Sequence, residues 1–402
     1  MALAWTAFAQ AGDEPIDLDH PAVAYRTTAP TDAVAELARR LEQGSTTLRF
    51  DGPSGYLRSL LAALEIPVES QVVVFSRTSL QSSLIGASTP RAIFFNDSVS
   101  VAWVREGFIE VASQDARQGT TFYLLPQTET TRPLLVRDNK CLTCHNSVST
   151  SGVPGLLVRS VAATTEGFPL PWLANYTTDH RSPIEERWAG WYVTGTTGER
   201  QHLGNLQLDD RFARELPAWT SERALTSIAP RVAASASISP HSDIAALLVF
   251  NHQVHMMNLL TRVGWQARIA AQEGRAPGTL NAAIGELVDY MLFVDEAPLD
   301  PVRGTSGFAE RFAASARRDS KGRSLRDLDL RTRLLRYPCS YLVYSEAFDA
   351  LPDAARELVY RRLKDVLSAN VRADKYARLT APDRQAILEI LRETKPNLPA
   401  WF

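Results

Sequence analysis

The chain predicts an α+β fold, with a mainly antiparallel sheet in its N-terminal half and helices in its C-terminal half. Two observations carry this. Between residues 72 and 125, short β-branched and aromatic runs recur between turn formers, and beyond residue 240 the apolar spacing becomes helical. Strands that precede helices, instead of alternating with them, do not build a doubly wound parallel sheet.

In order, Thr31-Asp32 can cap an amphipathic helix, Ala33 to Gln43, which Gly44 ends, and a second helix follows from Gly55 to Glu65. Strands are expected at Val72 to Phe75, Ala92 to Phe95, Val99 to Val104, Phe108 to Ala112 and Thr121 to Leu125. Pro90, Asn96-Asp97, Glu106-Gly107 and Gln118-Gly119 divide them. Two more strands are expected at Gly155 to Val161 and Trp188 to Gly195. Then Ser239-Pro240 makes a helix start, Thr279 caps Leu280 to Phe293, Pro352 precedes Asp353 to Ser368, and Thr380 leads Ala381 to Thr394. The organisation is an arm at 1–12, an α+β domain at 13–130, a middle region at 131–235 and a helical region at 236–402.

The middle region contains Lys140-Cys-Leu-Thr-Cys-His-Asn146, in which Cys141, Cys144 and His145 form a C-x-x-C-H pentad. This is the spacing of covalent haem attachment. Two thiols reach the two vinyl groups of one porphyrin, and the adjacent imidazole falls beneath the iron as its proximal ligand. With three cysteines and seven histidines in the chain, chance explains the pentad poorly. A zinc site would want four Cys or His ligands, and the remaining cysteine, Cys339, has no nearby partner in sequence and reads as buried. A redox dithiol fits less well because His145 follows the second cysteine and a loop follows that. The expected cofactor is therefore one haem c, bound through Cys141 and Cys144 on an attachment loop in the middle of the chain.

Covalent attachment takes place outside the bacterial inner membrane, so an export signal is expected. Met1 to Glu14 is apolar up to Ala7-Phe8-Ala9 and then acidic, which reads as a residual signal peptide or a short apolar arm, and the expected location is periplasmic or secreted. No later stretch has the length of a transmembrane helix. A net charge of -2 with mixed signs argues against a nucleic-acid partner or a polybasic membrane surface.

The second axial position is open to several candidates. Met256, Met257 and Met291 lie far beyond His145 in sequence, which excludes a compact small-cytochrome fold. In Phe250 to Asn258, helical spacing puts His252, His255 and Met256 on one apolar face. His252 ranks first as iron ligand, Met256 second and His255 third; the competing reading is a core helix with satisfied histidines. His180 and His202 are alternatives. Trp188 and Trp191 are candidate haem walls, and Arg159, Arg181 and Arg187 candidate propionate partners, against ordinary core and surface roles. The turn from Gly152 to Gly155 could bring backbone close to the porphyrin.

The pentad makes the chain resemble the c-type cytochromes. More widely, it is similar to a group of bacterial cytochrome c domain-containing proteins through Ser76 to Gln81, Gly152 to Ser160, Thr178 to Pro183, Trp188 to Trp191 and Ser340 to Phe348. That resemblance implies haem and assigns no substrate. The expected function is electron transfer with a redox partner protein or a small-molecule donor or acceptor. The alternatives are a peroxidase-like or oxygen-activating oxidoreductase with an open distal site, and a zinc-bearing binding module. The phosphate-loop and nucleophile-elbow fingerprints of other enzyme classes are absent.

Overall fold

The computed structural model describes residues 14–218, 220, 224–371 and 373–402. The predicted leader, with Ala7-Phe8-Ala9, lies outside them. Helix α1 (Ala33–Glu42) starts where Asp32 Oδ1 accepts from the amides of Val34 and Ala35. The other carboxylate oxygen of Asp32 accepts from Thr121 Oγ1 and the Tyr123 hydroxyl, which ties the cap to the sheet. Helix α2 (Leu57–Ala63) follows. Strands β1 (Val72–Val74), β2 (Arg91–Phe95), β3 (Val99–Trp103), β4 (Ile109–Asp115), β5 (Gly119–Leu125) and β6 (Val136–Arg137) come next. After helix α3 (Leu142–His145), β7 (Val158–Val161) pairs with β8 (Asn175–Thr178). β9 (Trp191–Tyr192) then returns to the main sheet, whose order is β6-β5-β4-β3-β2-β1-β9, antiparallel throughout.

The fold is α+β, as its sequence pattern predicts. Strand alternation sorts the sheet into two faces. Val73, Phe94, Val101, Trp103, Val111 and Tyr123 face α1 and α2. The opposite face carries a row of paired positions, Ile93, Ala102, Glu110, Leu124 and Val136. Part of that face is covered by α4 (Ile244–Gln272), which spans 29 residues. Phe95 meets Phe250 at 4.8 Å between ring centroids, and Gln114 Nε2 donates to Thr261 Oγ1 at 3.0 Å.

Helices α5 (Asn281–Met291), α6 (Phe308–Ala314), α7 (Glu346–Asp349), α8 (Asp353–Leu367) and α9 (Ala381–Thr394) complete the C-terminal half. One contiguous apolar core runs from Val72 to Phe402, so the three segments expected from sequence share their interior. No helix among the described residues is long and apolar enough to cross a membrane.

Three expectations shift. The helix expected at Ser239-Pro240 starts at Ile244, because Asp243 caps it through the amides of Ala245 and Ala246 while holding those of Thr305 and Ser306. The strand from Trp188 to Gly195 contracts to Trp191–Tyr192, since Trp188 at φ 69° and Gly190 at φ 79° leave the extended region. The attachment loop is a helical turn: Asp138 accepts from the amide of Lys140 at 2.8 Å and opens a 3₁₀ turn, Asn139–Cys141, that runs into α3.

Candidate haem attachment site

Because Cys141 and Cys144 stand three residues apart on this turn, they lie on one side of it, with His145 next in line. Cys144 is exposed and Cys141 half-buried. Cys141 packs against a small core of Tyr25, Phe122, Leu142, Val153 and Trp265. His145 Nδ1 lies 2.9 Å from the carbonyl oxygen of Gly155. A carbonyl only accepts, so Nδ1 carries the proton and Nε2 keeps its lone pair, the tautomer an axial iron ligand requires. Burial lowers the imidazole's proton affinity and favours that neutral form. The ring lies against Phe122, 5.1 Å between centroids.

The carbonyl that orients His145 is itself fixed. Gly155 donates its amide back to the His145 carbonyl at 2.9 Å. A Cβ at this position would lie 2.1 Å from Asn258 Oδ1, so only glycine fits. Three side chains on one face of α4 hold the same loop: Asn258 donates to the Leu156 carbonyl at 2.8 Å, Arg262 to the Ser151 carbonyl at 3.0 Å, and Trp265 joins the small core.

Beside the pentad, the sheet face left uncovered by α4 is apolar with one ion pair. Leu124 is half-buried and Val136 is 53% exposed, while Arg91 Nη1 donates to Glu110 Oε2 at 3.0 Å. The positive charge of Arg91 reaches His145, and burial together with Asp138 and Glu110 pushes the Cys141 thiol up to about 11. A redox dithiol needs a thiol moved the other way. Four buried polar atoms in this neighbourhood lack a hydrogen-bond partner: Arg91 Nε, Arg137 Nε, Asn146 Oδ1 and Asn258 Oδ1. Orphaned buried groups are uncommon and call for an explanation. A porphyrin presents flat apolar faces and two propionates, so an apolar platform of Phe122, Leu124 and Val136 flanked by an incompletely satisfied guanidinium fits it. Cys141, Cys144 and His145 would hold the group, with Arg91 the cation placed for a propionate.

The other predicted residues lie elsewhere. His252 is fully buried, its Nδ1 2.8 Å from His180 Nδ1 and its Nε2 2.8 Å from Ser340 Oγ. Both nitrogens are engaged. The ring stacks on Phe293 at 4.4 Å and Tyr290 at 5.3 Å. Met256 is fully buried in the main core, and His255 Nε2 lies 3.2 Å from Arg181 Nη2. His252 and Met256 therefore point away from the pentad loop, which meets the side of α4 carrying Asn258, Arg262 and Trp265. Trp188 is buried and donates to Asn251 Oδ1 at 2.9 Å, where Asn251 also donates to Thr178. His202 packs edge-on against Trp188. Trp191 donates to the Arg159 carbonyl at 2.7 Å, whereas the Arg159 side chain is exposed and donates to Asn175 Oδ1. Arg187 is buried and donates to the carbonyls of His180 and Ser182; Arg181 pairs with Asp179. Of the residues expected from sequence as haem contacts, the structure brings together Cys141, Cys144 and His145, and it adds Arg91, Phe122 and Gly155. Gly155 was visible as part of a Gly-Val-Pro-Gly turn. Arg91 carried no signal, because its neighbours on the face come from other strands.

Among the described residues no group of three or more His, Cys, Asp and Glu side chains is arranged to hold a metal ion by itself. No family model, curated protein or solved structure matches this chain.

Proposed function

We propose that this chain carries one haem c, joined to Cys141 and Cys144 with His145 as proximal ligand. In this reading it exchanges electrons with a redox partner protein or a small-molecule donor or acceptor in the bacterial periplasm or outside the cell. The observation that carries the reading is the His145 Nδ1 contact with the Gly155 carbonyl, 2.9 Å, beside two thiols on one turn. When bound, the iron supplies one-electron exchange. The chain's own part is to fix the imidazole tautomer through Gly155, to clamp that loop from α4, and to set a positive charge nearby with Arg91. The exposure of Cys144 and Val136 supports a cofactor edge within reach of a partner.

A second reading, an oxidoreductase with an open distal face, draws support from one observation. His252 has both nitrogens engaged and Met256 is in the core, so neither leading candidate for the sixth ligand faces the pentad. Expression alongside haem-maturation machinery, followed by haem staining on a denaturing gel, tests both; loss of the stain overturns both. Carbon monoxide added to the reduced protein then separates them. Rapid binding favours the open catalyst, and inertness favours the six-coordinate carrier.

A further inference from the structure

A cleft of about 300 Å³ lies in the helical half, between the chain leaving α5 and the segment joining α8 to α9. That volume is at the lower end of the range that takes small organic ligands. Its walls come from four stretches distant in sequence, around Phe293, Asp329, Pro338 and Tyr376. Two wall residues, Phe293 at φ 56° and Asp295 at φ 60°, are held in left-handed backbone, and Leu330, next to Asp329 on the facing wall, is at φ 55°. Bulky and β-carbon-bearing residues avoid that region, and such strain persists where surrounding contacts over-determine it, typically at ligand sites. Here the contacts are clear: Glu296 Oε1 accepts from the Leu334 amide at 2.7 Å, and the Ala297 amide donates to the His180 carbonyl at 3.0 Å.

The charges in the cleft are not equivalent. Arg333 makes two bonds to the carboxylate of Asp383, and Lys375 is paired with Asp289, so both are neutralised within the fold. Arg378 donates to the main-chain oxygen of Glu296 and, among the described residues, makes no ion pair with a carboxylate. A guanidinium in that state is suited to a carboxylate from outside. On the same wall, Asp295 is exposed and Glu296 is buried with its Oε1 on a backbone amide. Burial raises the Glu296 carboxyl to about 7, against the pull of Arg378, Arg187 and Arg333, so it can accept or donate a hydrogen bond near neutrality. Leu379, together with Phe293 and Tyr376, supplies apolar surface.

We propose that this cleft binds a small α-amino or α-hydroxy acid, its carboxylate on Arg378, its amino or hydroxyl donor on Asp295 and Glu296, and its apolar stem toward Leu379. The site is independent of the haem. Its test is calorimetric titration of the protein with four probes: L-leucine, 2-hydroxy-4-methylpentanoate, 4-methylpentanoate and isoamylamine. Leucine or its hydroxy analogue should bind, and 4-methylpentanoate and isoamylamine should each be weaker by about tenfold or more, since each removes one charged or polar partner. Arg378→Met should weaken the bound probe by about tenfold or more. Asp295→Asn, at an exposed position, should do so for leucine while leaving thermal unfolding unchanged. No binding of any probe at millimolar concentration overturns the site. So does equal affinity for leucine and 4-methylpentanoate, or unaltered affinity in a folded Arg378→Met variant.

Discussion

His145 lies beside α4 and His252 on it, yet their surroundings are opposite. His145 gives one nitrogen to a backbone carbonyl and keeps the other free at a half-open surface, among buried polar atoms that lack partners. His252 has both nitrogens bonded, to His180 and Ser340, and is fully buried in stacked rings. The first arrangement leaves valence for a cofactor. The second belongs to a buried polar network that links α4 to the Thr178, Trp188 and Ser340 segments, with His180 Nε2 its unpaired atom. A histidine near apolar residues is thus a ligand candidate only when the fold leaves one nitrogen unused.

The contrast has consequences that can break it. The largest effect is expected at the pentad: Cys141→Ala with Cys144→Ala should abolish haem that survives denaturation, read on a stained gel. Persistence of the stain would remove the pentad from the argument. Next, His252→Ala should cost about 3–5 kcal/mol in denaturant unfolding, by opening a cavity and stranding Ser340 and His180. It should leave the haem attached and its visible spectrum unaltered; a changed spectrum would make His252 an iron ligand and erase the distinction.

Acid should act on the same network. Burial holds His252 down to about 3 from 6.5 and lowers His180 too, so the unfolded chain takes up protons that the folded one refuses. Stability is then full above pH 6.5 and falls toward pH 3 by on the order of a few kcal/mol, with the depressed carboxyl of Asp179 adding to the loss below about pH 4. Glu296 acts with the other sign: raised from 4.5 to about 7, it weakens the fold as pH rises between those values, and Glu296→Gln removes that component. His252→Asn, weaker at pH 7, should lose less on acidification. Parallel curves for the two proteins would show that the network does not titrate this way.

At the pentad, Gly155→Ala should lower stability by about 1–3 kcal/mol and impair haem retention, because the new Cβ meets Asn258 Oδ1 at 2.1 Å. Asn258→Ala in the same chain should restore part of both, measured by thermal melting and haem content; no rescue would mean the Asn258 clash is not what limits residue 155. Finally, Arg91→Leu removes a positive charge near His145 and should lower the haem midpoint potential by on the order of 50 mV, from a unit charge at an effective dielectric of roughly 20. An unchanged potential in spectroelectrochemistry would take Arg91 out of the cofactor's surroundings.

Much of the fold was legible locally. Asp32 and Thr380 cap α1 and α9 as their neighbours predict, and the alternation from Val99 to Leu125 gives the strands within three residues. The short α6 and α7 were missed. α6 follows Gly307, and its seven residues hold too little periodicity to register. At the candidate site, the spacing of Cys141, Cys144 and His145 was readable because all three sit on one turn. The sense of α4 was not. Its residues are buried on nearly every side, so an apolar stripe no longer distinguishes the face toward the pentad from the face toward the core.

By itself, the sequence determined the α+β order of elements and a compact Cys-Cys-His group, since both depend on contacts within a turn or a strand pair. Only the tertiary structure decided how the nitrogens of His145 and His252 are engaged, because Gly155, Arg91, Phe122 and Ser340 reach their partners across separations that no local pattern encodes.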